Sequence, residues 1–159
     1  MKSKLSLAMT IIVLSLCSLV TLKAIAKEQS AVFAGGCFWC TESDFEKLDG
    51  VISAASGYIG GRVKNPSYKQ VSAGGTGHTE AVEVIFDDQT VSYSDLVEYF
   101  WKTIDPTDGG GQFCDRGQQY RSEIFYQTEE QRSIAQTSKD ALAASGLLKT
   151  EIVTQLTPS

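Results

Sequence analysis

Cys37 and Cys40 stand three residues apart in Gly35-Gly36-Cys37-Phe38-Trp39-Cys40, directly after the apolar run Ala31 to Ala34. The run reads as a buried strand, the paired glycines as the turn that ends it, and Phe38 to Leu48 as a helix. Phe38, Thr41, Phe45 and Leu48 fall along one side of that helix. Cys37 is thus expected where a strand becomes a helix, at a terminus with unpaired N–H groups and a partial positive charge. Both favour thiolate, the nucleophilic form of cysteine. Phe38 and Trp39 are bulky enough to wall an apolar pocket beside the sulfur. The plainer alternative is a cysteine packed as a small hydrophobe.

Four further stretches could converge on this sulfur: Asn65-Pro66-Ser67-Tyr68, Thr76-Gly77-His78-Thr79-Glu80, Cys114-Asp115-Arg116-Gly117 and Gln119-Tyr120-Arg121-Ser122. They supply Glu80, Asp115, Tyr68 and Tyr120, groups able to donate or shuttle a proton, with no histidine beside the nucleophile. Taken singly, each has an ordinary reading. A glutamate leading a strand is commonly a solvated edge residue, loop tyrosines pack with a wet hydroxyl, and His78, the only histidine, can brace its loop. Cys37, Cys40, Cys114 and His78 could be counted as four zinc ligands. A zinc site usually brings two closely spaced pairs, and only one is present, so no metal is expected.

Composition bounds the rest. The 159 residues are 42% hydrophobic and 21% charged, which suits one soluble domain with a real core. A net charge of −5 without Lys/Arg clusters argues against a nucleic-acid partner. Residues 1–26 differ: Lys2 and Lys4 open the chain, Leu5 to Leu22 is apolar or hydroxylated, and Ala24-Ile25-Ala26 fits a cleavage site. This is a secretory signal pattern, favoured over an uncleaved anchor. A lipid-modified Cys17 is weaker, because bulky Leu16 precedes it. Cleavage after Ala26 removes three lysines and no acidic residue, which takes the charge from −5 to −8. It leaves Cys37, Cys40 and Cys114, an odd count that suggests a thiol kept for reaction in an exported protein, expected in the periplasm.

The elements that must position these groups follow in order. Lys27 to Ser30 reads as a polar lead-in, Val51 to Tyr58 as a strand, and Arg62 to His78 as a long irregular functional loop. Thr79 to Asp87 alternates as a strand. Ser94 is a plausible N-cap for a helix reaching Ile104, which must stop before Asp105-Pro106. A second Gly-rich loop spans Thr107 to Gln119, and Tyr120 to Tyr126 reads as a strand. Thr128 and Gln131 form a capping box for a helix running to Ser145-Gly146, and Glu151 to Gln155 reads as a last strand. The expected fold is α+β, a two-layer sandwich with a ferredoxin-like βαββαβ core and long functional loops. Residues 27–159 form its single catalytic domain.

Gly36-Cys37-Phe38-Trp39, Thr76 to Glu80 and Asp115 to Ser122, in that order, resemble the A-type peptide-methionine sulfoxide reductases. The likeness covers residues 31 to about 155, and three motifs in register make it specific. It implies reduction of the S epimer of methionine sulfoxide, free or in proteins, as repair after oxidative stress. Cys37 would attack the substrate sulfur and be left as sulfenic acid. Glu80, Tyr68 and Tyr120 would hold and protonate the sulfoxide oxygen, and Asp115 would orient Tyr120 or a water. Phe38, Trp39 and His78 would bind substrate. Cys40 or Cys114 would resolve the sulfenic acid as a disulfide, with Cys40 preferred. No bound cofactor is implied, only an external thioredoxin-like dithiol donor, and a monomer is expected. Relatives usually continue with an aromatic, Tyr-His-containing segment and often a recycling cysteine, whereas this chain ends at Thr157-Pro158-Ser159. Either the sequence is a fragment truncated at the C-terminus, or the enzyme lacks a segment that packs beside the site. The exported CxxC also prompts a thioredoxin-like oxidoreductase reading, but no proline-bearing loop or matching helix order follows. A non-enzymatic binding module is the remaining rival.

Overall fold

In the computed structural model, residues 27–159 are described; the expected signal segment 1–26 lies outside them. The chain runs β1 (Glu28–Gly35), α1 (Phe38–Phe45), β2 (Val51–Ile59), α2 (Tyr68–Ser72), β3 (Thr79–Asp87), α3 (Tyr93–Thr103), β4 (Gly111–Gln112), β5 (Asp115–Arg116), a 3₁₀ turn (Gln118–Tyr120), β6 (Ser122–Tyr126), α4 (Glu129–Ala144) and β7 (Gln155–Pro158). The main sheet has the order β2-β3-β1-β6-β7, antiparallel except for the parallel β6–β7 pair. β1, α1, β2, β3, α3 and β6 make the βαββαβ core in an α+β fold. α2 and the β4–β5 hairpin lie within the two long loops, and β7 extends one sheet edge.

Alternation sets the two faces of the sheet. Phe33, Val82, Val84, Phe86 and Ile124 point toward the helices and meet Phe45, Leu96, Val97 and Phe100 in the main core. Phe33 lies in the middle, its ring 4.8 Å from Phe45 and 5.1 Å from Phe100. Val32, Ala34, Ala81 and Phe125 pack together on the opposite face.

Several boundaries differ from the sequence reading. β1 starts at Glu28 because Glu28 to Ser30, though polar, pair in register with Asp87 to Ile85. α1 ends at Phe45, three residues short of Leu48. The cap of α3 is Ser92, whose hydroxyl accepts from Asp95 N–H at 3.1 Å while Asp95 Oδ2 accepts from Ser92 N–H at 3.0 Å. Thr128 caps α4 through Gln131 N–H, but Gln131 Oε1 accepts from Gln127 N–H instead of completing the box. Tyr120 closes a 3₁₀ turn ahead of β6, and the last strand lies at Gln155–Pro158.

The β1–α1 turn depends on close approach. Gly36 has φ +92°, and a Cβ there would lie 2.6 Å from Gln112 Cβ. Gln112, only 1% exposed, accepts from Asp105 N–H at 2.7 Å and donates to Asp105 C=O at 2.9 Å. One side chain therefore seats the glycine turn and ties the β4–β5 hairpin to the end of α3. Gln112→Ala should cost about 1–3 kcal/mol of stability by stranding these buried partners. Urea unfolding checks this, and an unchanged midpoint would contradict it.

Candidate active site

Cys37 is the N-cap of α1, with extended backbone (φ −62°, ψ 115°) and a partly exposed side chain. Its carbonyl accepts from the N–H groups of Cys40 and Thr41, both at 3.1 Å, so the sulfur sits at the opening turn of the helix. The next amide, Phe38 N–H, has no helical acceptor and donates to Glu80 Oε2 at 3.1 Å. This bond fastens the start of α1 to the start of β3.

Glu80 is 1% exposed, and its Oε1 has no hydrogen-bond partner among the described residues. Burial pushes its carboxyl above the ordinary 4.5, the Phe38 N–H opposes the rise, and the charge of Asp115 adds to it. The Tyr120 phenol is also raised, by burial first and then by the charges of Glu80, Tyr68, Asp115 and Cys37. These influences gather Cys37, Glu80, Tyr68, Asp115 and Tyr120 into one neighbourhood.

The scaffold explains the gathering. Gln119, just before Tyr120, donates through Nε2 to Ser72 C=O of α2 at 3.1 Å, and its own carbonyl accepts from Thr79 Oγ1 at 3.0 Å. Gln119 thus ties together the turn with Tyr120, the helix that begins at Tyr68 and the strand that carries Glu80. Ser67 caps α2 through a reciprocal box with Gln70. The rings form an open wall: Trp39 is 5.7 Å from Tyr68 and 5.2 Å from Phe38, and Tyr68 is 6.2 Å from Phe38. Trp39 is 61% exposed and Tyr68 48%, so this wall faces incoming molecules.

Cys37, Cys40, Cys114 and Asp115 line one cavity of about 270 Å³ beside Gln112. Cys40 and Cys114 are exposed, and no disulfide joins the three thiols. The Cys40 thiol is pushed up chiefly by a hydrogen bond with Cys37, with burial and the Cys37, Asp115 and Asp44 charges adding to it. Cys40 and Cys114 thus share one cavity with Cys37. Phe113, at the hairpin tip, adopts φ +50°.

His78 corrects an expectation. Its Nδ1 accepts from Gly61 N–H at 3.2 Å and its Nε2 donates to Val63 C=O at 2.8 Å. Both ring nitrogens are used within the loop, leaving none for a substrate, so His78 braces the 61–63 segment. Tyr58 was missed. Its ring is 5.6 Å from Phe38, and burial raises its phenol, with the Glu80 and Tyr68 charges adding to the rise. Nothing local in Val51 to Ile59 marks it; only the pairing of β2 with β3 brings it here.

The peptide methionine sulfoxide reductase family model matches residues 29–159. The chain belongs to the peptide methionine sulfoxide reductase family. It is 58% identical over 131 residues to a peptide methionine sulfoxide reductase MsrA of Streptococcus agalactiae, covering 82% of this chain and 78% of that one. The fold is shared with methionine sulfoxide reductase A of Corynebacterium diphtheriae, at TM-score 0.72 and 34% identity over 89% of this chain and 69% of that one. It is also shared with reduced Mxr1 from Saccharomyces cerevisiae, at TM-score 0.74 and 28% identity over 83% and 76%. Mxr1 in complex with Trx2 has the same fold, at TM-score 0.58 and 20% identity over 86% and 82%. Family membership and the gathered Cys37, Glu80 and phenols point to the same chemistry.

The buried carboxyl has a consequence for stability. Because the folded value of Glu80 lies above the unfolded one, the folded chain retains a proton that the unfolded chain releases. Its contribution to stability is therefore lost as pH rises from about 4.5 through the folded value. Glu80→Gln removes this titration while keeping an acceptor for Phe38 N–H. Its unfolding free energy should gain on wild type across that rise; a constant difference from about pH 4 to 8 would contradict the assignment.

Proposed function

We propose that this chain reduces the S epimer of methionine sulfoxide, free or in proteins, to methionine as a repair of oxidative damage. The observation that carries the reading is a buried carboxyl of raised pKa, held by the first amide of the helix that begins with Cys37. Protonated Glu80, with the Tyr68 and Tyr120 hydroxyls, hydrogen-bonds the sulfoxide oxygen and makes the substrate sulfur electrophilic. The substrate methyl rests on Phe38 and Trp39. Oxygen toward the carboxyl, methyl on the rings and sulfur toward Cys37 make three fixed points, which only one epimer meets. Asp115 orients Tyr120 or a water.

The Cys37 thiolate attacks that sulfur as Glu80 gives its proton to the oxygen. The hydroxyl then passes from the substrate sulfur to Cys37 as the sulfur–sulfur and substrate sulfur–oxygen bonds break, leaving methionine and a Cys37 sulfenic acid. The Cys40 thiol condenses with it, forming the S–S bond and releasing water. An external thioredoxin-type dithiol then reduces the disulfide to two thiols and is itself oxidised. The yeast relative solved with Trx2 supports a donor of that type. Cys114, on the same cavity, is the alternative resolving thiol. The signal-like pattern of residues 1–26 supports a site of action outside the cytoplasm, which N-terminal sequencing of the exported protein tests.

With dithiothreitol as reductant, turnover of the S epimer alone is expected. It should be abolished in Cys37→Ser and reduced by roughly 10²–10⁴ in Glu80→Gln, the range for loss of a positioned proton donor. Disulfide mapping after one equivalent of sulfoxide should show a Cys37–Cys40 link; a Cys37–Cys114 link would make Cys114 the resolving residue. Insulin-disulfide reduction without sulfoxide turnover would favour a thioredoxin-like oxidoreductase.

A further inference from the structure

We propose that Tyr58 is a positioning residue of this site, whose ring closes the sheet side of the Glu80 carboxyl against water and backs Phe38. The proposal deepens the reading of Glu80 as the proton donor and rests on it. Tyr58 and Glu80 are direct register partners in the antiparallel β2–β3 pair. Partners of this kind share a face, with Cβ atoms about 4.5–5.5 Å apart. That face is the helix side of the sheet. Ala54 and Tyr58 pack against the main core, and Ser56 between them donates from N–H and Oγ to Glu42 of α1.

Tyr58 therefore abuts both members of the pair on which the site is built. Glu80 holds Phe38 by its amide, and the Tyr58 ring packs against the Phe38 ring at 5.6 Å, tilted 33°. The unpartnered Glu80 Oε1 is inaccessible to solvent, so neighbouring groups must keep water from it. Asp115 of β5, Tyr120 of the 3₁₀ turn and Tyr58 of β2 are near enough to the carboxyl to exchange charge effects with it. Tyr68 of α2 exchanges them with both of those phenols, and Cys37 at the start of α1 with Tyr120. None of the groups that shift it is a cation. Tyr68 is half exposed and so is a poor seal. Tyr58 is partly buried and backed by the core. Burial is the leading influence on both the Tyr58 phenol and the Glu80 carboxyl, as expected for neighbours on the dry side of one site.

If the ring does this work, its hydroxyl is dispensable for it. Tyr58→Phe keeps the seal, whereas Tyr58→Ser admits water. The test is the pH dependence of kcat/KM for the S sulfoxide, read at the midpoint of the alkaline limb, together with a ¹³C NMR titration of labelled Glu80 in the same full-length proteins. Both midpoints should be unmoved in Tyr58→Phe. In Tyr58→Ser both should fall toward the ordinary glutamate value by about half to one pH unit, a fraction of the shift that full burial produces. Midpoints do not depend on the amount of folded enzyme; should Tyr58→Ser fail to fold, Tyr58→Leu should give a smaller shift in the same direction. Unmoved midpoints in the serine or leucine variant would overturn the proposal. An equal shift in Tyr58→Phe would overturn it in favour of a hydroxyl contact. Wild-type enzyme without sulfoxide turnover would defeat the functional reading instead, while the NMR titration would still report on Tyr58.

Discussion

The hydrogen bond from Phe38 N–H to Glu80 Oε2 is the contact on which the site depends. A helix start leaves its first amides without partners, and here one of them is satisfied by a carboxyl from a strand 42 residues further along the chain. The bond sets the Cys37 sulfur and the Glu80 carboxyl near one another, because Cys37 is covalently next to the amide that donates it. Gly36 allows the approach from one side through its positive φ and its contact with Gln112. Gln119 secures it from the other by tying the Tyr120 turn to α2 and to Thr79.

Two opposing influences act on that carboxyl. An amide hydrogen bond at a helix terminus favours the anion. Removal from water favours the neutral acid, and the nearby Asp115 charge does the same. Burial is the largest of these and decides the direction. A carboxyl inclined to hold its proton therefore arises from placing it where water cannot follow and leaving one oxygen unpartnered among the described residues. The cost is carried by the fold as a buried polar atom without compensation.

Much of this was legible in the sequence, because it depends on local signals. The apolar run into paired glycines placed Cys37 at a strand–helix junction, and alternation in Thr79 to Asp87 put Glu80 at the head of a strand. The βαββαβ order followed from element spacing. What was missed depends on distant partners or on signals passed over. Tyr58 belongs to the site only through its register with Glu80, which no local pattern reveals. α2 was readable as Ser67-x-x-Gln70 after a proline, a capping box hidden inside a stretch without apolar period. His78 was split between two readings, and only the positions of Gly61 and Val63 decide for the brace. The polar start of β1 looked like a lead-in because its strand character comes from pairing with β3 and not from its own residues.

Glu80 holds its proton to a higher pH than an ordinary glutamate because water is kept from its carboxyl. Infrared difference spectroscopy between wild type and Glu80→Gln reads this directly in the reduced, substrate-free protein over a pH series that brackets the ordinary value of 4.5. A protonated carboxyl C=O band is expected in wild type, absent in the variant and shifted in D₂O, with the midpoint of its loss above 4.5. Loss of that band with a midpoint at or below the ordinary value would contradict the assignment.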